Sequence, residues 1–391
     1  MARLLSCGFE LNSVTNGVEV RTSGNSPTIN SSTFRSGAYA LNMSDNKFVT
    51  FRYAASAVDG IYYTFRYYLY LTAYSSIDKL FSYDGTDAYI YLKPTGELEA
   101  QSETVIVGTS PVLNLNTWYR VEVKTRFTDN VGGIGDAEWR LNGVRFASLI
   151  GGFFAGDGIT FTLGSSGVGT YSAIVDDIAI NDDTGSFQNS WSGEGSIVHL
   201  RPSATGDNSA WTGTNTDIDE VTPDDVTTFI SSLTSGDIED VNIDDTPTAL
   251  TSNLLIPVVQ VGVRFNESVI TDPDPTFVVR IKASASGTVE EGSTITASST
   301  TWGTNSPASA VPANYTLTLY NLPGSSTIPY TKAELDSSQI GVRLTNSPVG
   351  LAQVSTLWLL VEYQARVSGK PHNYSRYMQV GGGTSRNELA K

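Results

Sequence analysis

The chain has 391 residues, 40% of them hydrophobic, enough for two or three domains that each bury a core. A formal charge of −16 argues against a nucleic-acid groove, which needs clustered Lys and Arg, and against an anionic membrane surface; its plain consequence is solubility. The single cysteine, Cys7, excludes an internal disulfide and a Cys-built zinc site, and no stretch approaches the roughly twenty apolar residues of a membrane span.

In chain order, Leu4-Leu5-Ser6-Cys7 imitates a lipoprotein cleavage box but lies too near Met1 for an apolar export segment. No signal peptide is expected, and Cys7 reads as a small buried residue on a first strand. From Ile61 to Leu71 the odd positions Ile61, Tyr63, Phe65, Tyr67, Leu69 and Leu71 share one face. Tyr62, Tyr68 and Tyr70, with Thr64 and Arg66, take the other face, as the period of two in a strand requires. Tyr89 to Glu99, turning at Pro94-Thr95-Gly96, reads as a hairpin. Tyr119 to Phe127 alternates apolar with charged residues, and Trp139 to Phe146 folds back at Asn142-Gly143, a pair suited to the two positive φ angles of a type I′ turn. Strands at Ile159–Leu163 and Ala173–Ile180 complete a first set.

Between Asn181 and Gly195 the chain turns polar and Gly-rich, which marks a boundary, and from Pro202 to Val263 it carries no Lys or Arg. Strands return around Val259–Phe265, Phe277–Ile281, Tyr315–Leu319 and Ile340–Leu344. Leu357-Trp358-Leu359-Leu360-Val361 is apolar on both faces, as a central strand is. Thr331-Lys332-Ala333-Glu334 fits a capping box and predicts a short helix. The expected fold is all-β: a β-sandwich over 1–190, a second jelly-roll-like sandwich over 195–365, and a polar tail over 366–391, expected to be loose or ordered only against a neighbour.

Catalytic patterns are sparse. His199 and His372 are far apart and in neither triad nor metal-ligand spacing. Sandwich glycoside hydrolases place carboxylates at alternate positions of one strand, and no Glu-x-Asp-x-Glu occurs. Asp217-Ile218-Asp219-Glu220 and Glu239-Asp240 come nearest, in loop-like sequence, so no enzyme is expected. Asp240 to Asp244 imitates the start of a calcium loop, but Asp245 stands where Gly is needed and Thr251 where Glu is. Asp176, Asp177, Asp182 and Asp183, around the last strand of the first sandwich, either hold a calcium ion or bind backbone amides at turns; no other cofactor is expected. Tyr62, Tyr68 and Tyr70 form a stacking platform for a sugar, cross-strand pairs, or part of a subunit interface, and the interface is the favoured reading. Trp118, Trp139, Trp211, Trp302 and Trp358 are read as core or corner residues.

Two groups of motifs are similar to a known family. Leu4 to Glu10, Phe34-Arg35-Ser36-Gly37-Ala38-Tyr39-Ala40-Leu41, the Trp118 to Val123 strand, the Trp139 to Val144 hairpin and Ile174-Val175-Asp176-Asp177-Ile178 resemble concanavalin-A-like (laminin-G-like) domains of tailed-bacteriophage virion structural proteins. Gly195 to Pro202, Trp211-Thr212, Asp219-Glu220-Val221 and Pro223 to Ile230 resemble a module that follows such domains. The resemblance implies a non-catalytic particle component, a head decoration, head fibre or tail-associated protein, made in the host cytoplasm. Its implied partners are other capsid or tail proteins and further copies of itself, with no nucleic acid and no membrane. The alternative is a glycan-binding adhesin acting through the first domain.

Overall fold

The computed structural model describes residues 3–54, 60–84, 88–127, 134–153, 159–165, 170–247, 254–270, 272–284, 287–305 and 315–365. It is all-β, with four antiparallel sheets stacked as two sandwiches. Strands are numbered in chain order. The first sheet runs β13 (Val144–Phe153), β12 (Ile134–Leu141), β11 (Trp118–Phe127), β6 (Tyr62–Tyr74), β15 (Tyr171–Asp182), β4 (Ala40–Ser44) and β3 (Thr28–Asn30). The strand β1 (Arg3–Cys7) also pairs with β15. The second runs β10 (Val105–Thr109), β9 (Leu98–Ser102), β8 (Ala88–Leu92), β7 (Asp78–Asp84), β14 (Ile159–Gly164), β5 (Phe48–Ala54) and β2 (Thr22–Gly24).

In the other sandwich one sheet runs β16 (Ser196–Leu200), β27 (Ala352–Ala365), β20 (Leu254–Glu267) and β24 (Gly303–Thr304), with β18 (Ile230–Ser232) on β27 and β25 (Thr318–Leu319) on β20. Its partner runs β17 (Pro202–Ser209), β19 (Ile238–Ile243), β26 (Gln339–Leu344), β21 (Thr276–Lys282) and β22 (Val289–Glu291), with β23 (Ile295–Thr296) on β21. The expected helix is α1 (Lys332–Asp336), and its capping box is formed: the Glu334 amide donates to Thr331 Oγ1 and the Thr331 amide to the Glu334 carboxylate.

The period-two pattern decides which side chains meet. The odd residues of β6 enter the first core, where Phe65 packs against Phe81, Tyr83 and Phe161, and Phe51 stacks on Phe161 at 5.0 Å. Cys7 is buried there on β1. The β12–β13 turn has φ of 50° at Asn142 and 81° at Gly143, the positive pair the motif predicts.

The strand β27 has two apolar faces for a reason that lies between the sandwiches. Leu357, Leu359 and Val361 enter its own core. Trp358 and Leu360 face the other way and join Ile197 and Tyr315 against Leu11 and Val18 of the first sandwich. Gly262 on the paired strand makes room for the indole: a Cβ there would lie 1.9 Å from the Trp358 ring.

Trp139 and Trp358 are fully covered and Trp118 and Trp302 half-buried, within the expected core or corner positions. Other expectations are corrected. Glu239 and Asp240 lie in β19, not in a loop, because the strand is paired between β17 and β26, and Arg280 and Lys282 of β21 then reach the Asp240 carboxylate. The strand read at Tyr315–Leu319 shortens to Thr318–Leu319. His372 and the tail 366–391 lie outside the described residues.

Candidate functional site

The outer face of the first sheet carries the polar rows of three neighbouring strands. Register places Tyr62 beside Arg126 and Arg126 beside Asp136; Thr64, Lys124 and Glu138 form the next row; Arg66, Glu122 and Arg140 the third. Tyr68 then faces Arg120, and Tyr70 faces Trp118. Charges of opposite sign therefore sit directly across from one another, the favourable cross-strand arrangement.

The segment joining the sandwiches crosses this face. Thr64 Oγ1 donates to the Ser190 carbonyl at 3.0 Å, the Gly193 amide donates to Glu122 at 3.0 Å, and the Gly195 amide donates to the Tyr68 hydroxyl at 3.4 Å. Tyr68 is consequently 5% exposed, with the Arg35 guanidinium 3.4 Å above its ring. The three tyrosines thus share a face but not a surface. Tyr68 lies beneath the crossing, Tyr70 packs on Trp118 at 5.1 Å on one side of it, and Tyr62 stands on the other. Tyr68 is covered by a contact between the two halves of a single chain, not left on an outer surface.

Two buried ionic knots hold the crossing down. Arg3 of β1 and Arg66 of β6 both pair with Glu362 of β27, and all three side chains are fully buried. Arg3 also donates to Asn181 and Ser6, and Arg66 to the Asp177 carbonyl, so the donors around the carboxylate are oriented. The second knot centres on Asp177, which takes Arg35 at 2.6 Å, Ser36 Oγ at 2.5 Å and the Ile197 amide at 2.6 Å.

Three of the four candidate calcium aspartates accept hydrogen bonds from the chain itself. Asp176 and Asp177 lie inside β15 at a bulge where Asp177 has φ 51°. Asp176 accepts from the amides of Arg35, Ser36 and Asp177, and burial raises both carboxyls above the usual range. Asp182 accepts from the amide and hydroxyl of Thr184, and Asp183 is exposed. Among the described residues no group of three His, Cys, Asp or Glu side chains is placed to hold a metal. His199 stacks on Trp358 at 5.7 Å, and burial pushes its imidazole well below its ordinary range, so it stays neutral.

What remains open is a strip beside the crossing: Tyr62, Lys124, Arg126, Asp136, Glu138, Arg140 and Trp191, all half-buried. The Lys124 ammonium lies 4.2 Å from the Tyr62 ring centre and 5.9 Å from that of Trp191. Arg126 also sits over the Tyr62 ring at 4.6 Å, and Arg140 lies over Trp191 at 3.8 Å. Arg126 is paired with Asp136 at 2.5 Å and Arg140 with Glu138 at 2.6 Å. The Tyr62 hydroxyl donates to Asp136 at 3.2 Å; burial, then the neighbouring Asp136, raises its pKa, so it is a hydrogen-bond donor at neutral pH. The strip thus combines two aromatic rings, each with a cation over it, and charged hydrogen-bonding groups, side-chain types that also meet sugar rings.

Trp191 was missed by sequence reasoning, because Asn189-Ser190-Trp191-Ser192-Gly193 reads as a polar linker. A lone indole in such a stretch was the available signal, since a large aromatic rarely stays free of partners. Lys124, Arg126 and Arg140 were legible only as the wet face of a strand.

No protein-family model matches the chain, and no curated protein matches it. Similar solved structures include an endo-β-1,4-glucuronan lyase from the fungus Trichoderma reesei, at 12% identity and TM-score 0.35, covering 46% of this chain and 95% of that one. A carbohydrate esterase of Shiga toxin-encoding bacteriophage phi24B has 14% identity and TM-score 0.35, covering 46% and 99%. Domain 4 of the arabinanase AbnA from Geobacillus stearothermophilus, in complex with arabinotriose, has 15% identity and TM-score 0.34, covering 46% and 92%. Similarity this low leaves function to be argued from the side chains. It does correct one expectation. The missing carboxylate triplet was read as the absence of an enzyme, yet the neighbours include a lyase and an esterase, and that triplet is only one of several catalytic arrangements. The chain is an all-β protein, and the solved structures similar to it include carbohydrate-binding and carbohydrate-processing domains.

Proposed function

We propose that this chain binds carbohydrate through the Tyr62–Trp191 strip of the first sandwich. The observation that carries the reading is the placement of two half-buried aromatic rings, each with a cation over it at 3.8 to 4.6 Å, on the outer face of the first sheet beside the crossing segment. Sugars stack their apolar ring face on such side chains while edge hydroxyls find charged partners. The test is a glycan panel probed with the full chain. Binding that is lost in Tyr62→Ala and in Trp191→Ala, but kept in Tyr70→Ala, supports the strip; binding unaffected by the first two substitutions removes it. Product release followed in the same incubations reads any turnover directly.

A second reading, incorporation into a tailed-phage particle through contacts with capsid or tail proteins and further copies, is favoured by the seam. The motifs that carry the phage resemblance, Arg35-Ser36, Asp176-Asp177 and Gly195 to Ile197, lie far apart in sequence yet bond to one another between the sandwiches. They would hold both halves as one body, which suits repeated docking. Mass spectrometry of purified particles tests it, and particles lacking the chain would remove it.

A further inference from the structure

We propose that the strip selects acidic sugars, with a ligand carboxylate seated on Lys124; this rests on the carbohydrate reading and names its substrate class. Each arginine of the strip already has a carboxylate, Asp136 for Arg126 and Glu138 for Arg140. Lys124 is different. Among the described residues no carboxylate lies within ion-pair distance of its ammonium, which sits between the faces of Tyr62 and Trp191. The side chain is half-buried, and loss of solvation pulls its pKa below the ordinary lysine range even though Asp183 and Glu138 act in the opposite direction. A desolvated, incompletely compensated cation held between two aromatic rings is complementary to a sugar that carries a carboxylate on its ring. A neutral sugar could stack on the same rings but would leave the ammonium as it is.

The chain's charge of −16 offers a polyanion no long-range attraction, so the selection has to be made at contact. A charge-assisted hydrogen bond to a carboxylate is roughly twice as strong as a neutral one, so a preference of about tenfold is expected.

The experiment compares a polyuronate with its carboxyl-reduced counterpart, which has the same backbone and linkages but no charge. Binding of each to the full chain is measured by calorimetry, for the native sequence and for Lys124→Gln, Lys124→Arg and Tyr62→Ala. The expected result is tighter binding of the polyuronate by about tenfold, reduced to the neutral level by Lys124→Gln and restored in part by Lys124→Arg. Circular dichroism of each variant confirms that it folds. Equal affinity for both polymers, with Tyr62→Ala still abolishing binding, overturns the acidic preference and leaves the carbohydrate reading standing. Failure of the native chain to bind either polymer or any member of a neutral panel overturns both.

Discussion

Glu362 is the residue on which most of the seam converges, since two fully buried arginines from the other sandwich depend on it. A buried ion pair contributes little net stability when intact, but removing one partner strands the rest. Glu362→Gln is therefore expected to lower unfolding stability by about 3–5 kcal/mol in urea titration, and a change near zero would mean that solvent reaches the arginines. Glu10 gives the seam a pH dependence of the opposite sense from an ordinary carboxylate. Burial, only partly offset by the Ala38 and Tyr39 amides, pushes it up to about 8. The folded state then binds a proton more tightly than the unfolded chain, whose carboxyl titrates near 4.5. Stability attributable to Glu10 is full below that value and is lost as pH rises to about 8, with a slope of up to about 1.4 kcal/mol per unit. In Glu10→Gln the slope of stability against pH from 5 to 8 should flatten. Tyr68 and Tyr62 separate in the same manner: Tyr68→Ala should cost stability because it empties a covered site, whereas Tyr62→Ala should cost ligand binding.

At the scale of single elements, the turns and the cap follow local rules that hold wherever the chain goes. Gly143 occupies φ 81°, so Gly143→Ala should destabilise by about 1 kcal/mol or somewhat more, seen as a lower thermal midpoint. Thr331→Ala removes the acceptor for the Glu334 amide and should cost about 1 kcal/mol. The alternation in β6 and β11 identified the two faces of each strand because one face had to enter a core. It could not say what covers the other face. Tyr68, Lys124 and Tyr70 read alike in sequence, yet one is sealed by the crossing segment and two stand on opposite sides of it.

Across the whole molecule, the two sandwiches share a buried surface that neither could satisfy alone. Leu11 and Val18 pack on Trp358, Leu360 and Tyr315, and Phe187 of the crossing segment stacks on Tyr320 at 5.3 Å. The 391-residue chain should consequently unfold in one calorimetric transition. Trp358→Ala, which opens a large cavity at this junction, should destabilise by about 3–5 kcal/mol. Two transitions in the native chain, with only one moved by Trp358→Ala, would show that the halves fold independently.

By itself the sequence determined the all-β class, the strand faces, the Asn142-Gly143 turn and the Thr331 cap, because each depends on residues within a few positions of one another. Even the double-faced apolar run at Leu357–Val361 was visible as a central strand. The tertiary structure alone decided the use of the polar residues. Asp177 became a seam anchor because Ile197 and Arg35 arrive beside it, and Trp191 became part of a surface because its linker lies across the sheet. Such roles arise from pairings between residues 20 to 142 positions apart, and a polar side chain carries no local mark of which distant partner will reach it.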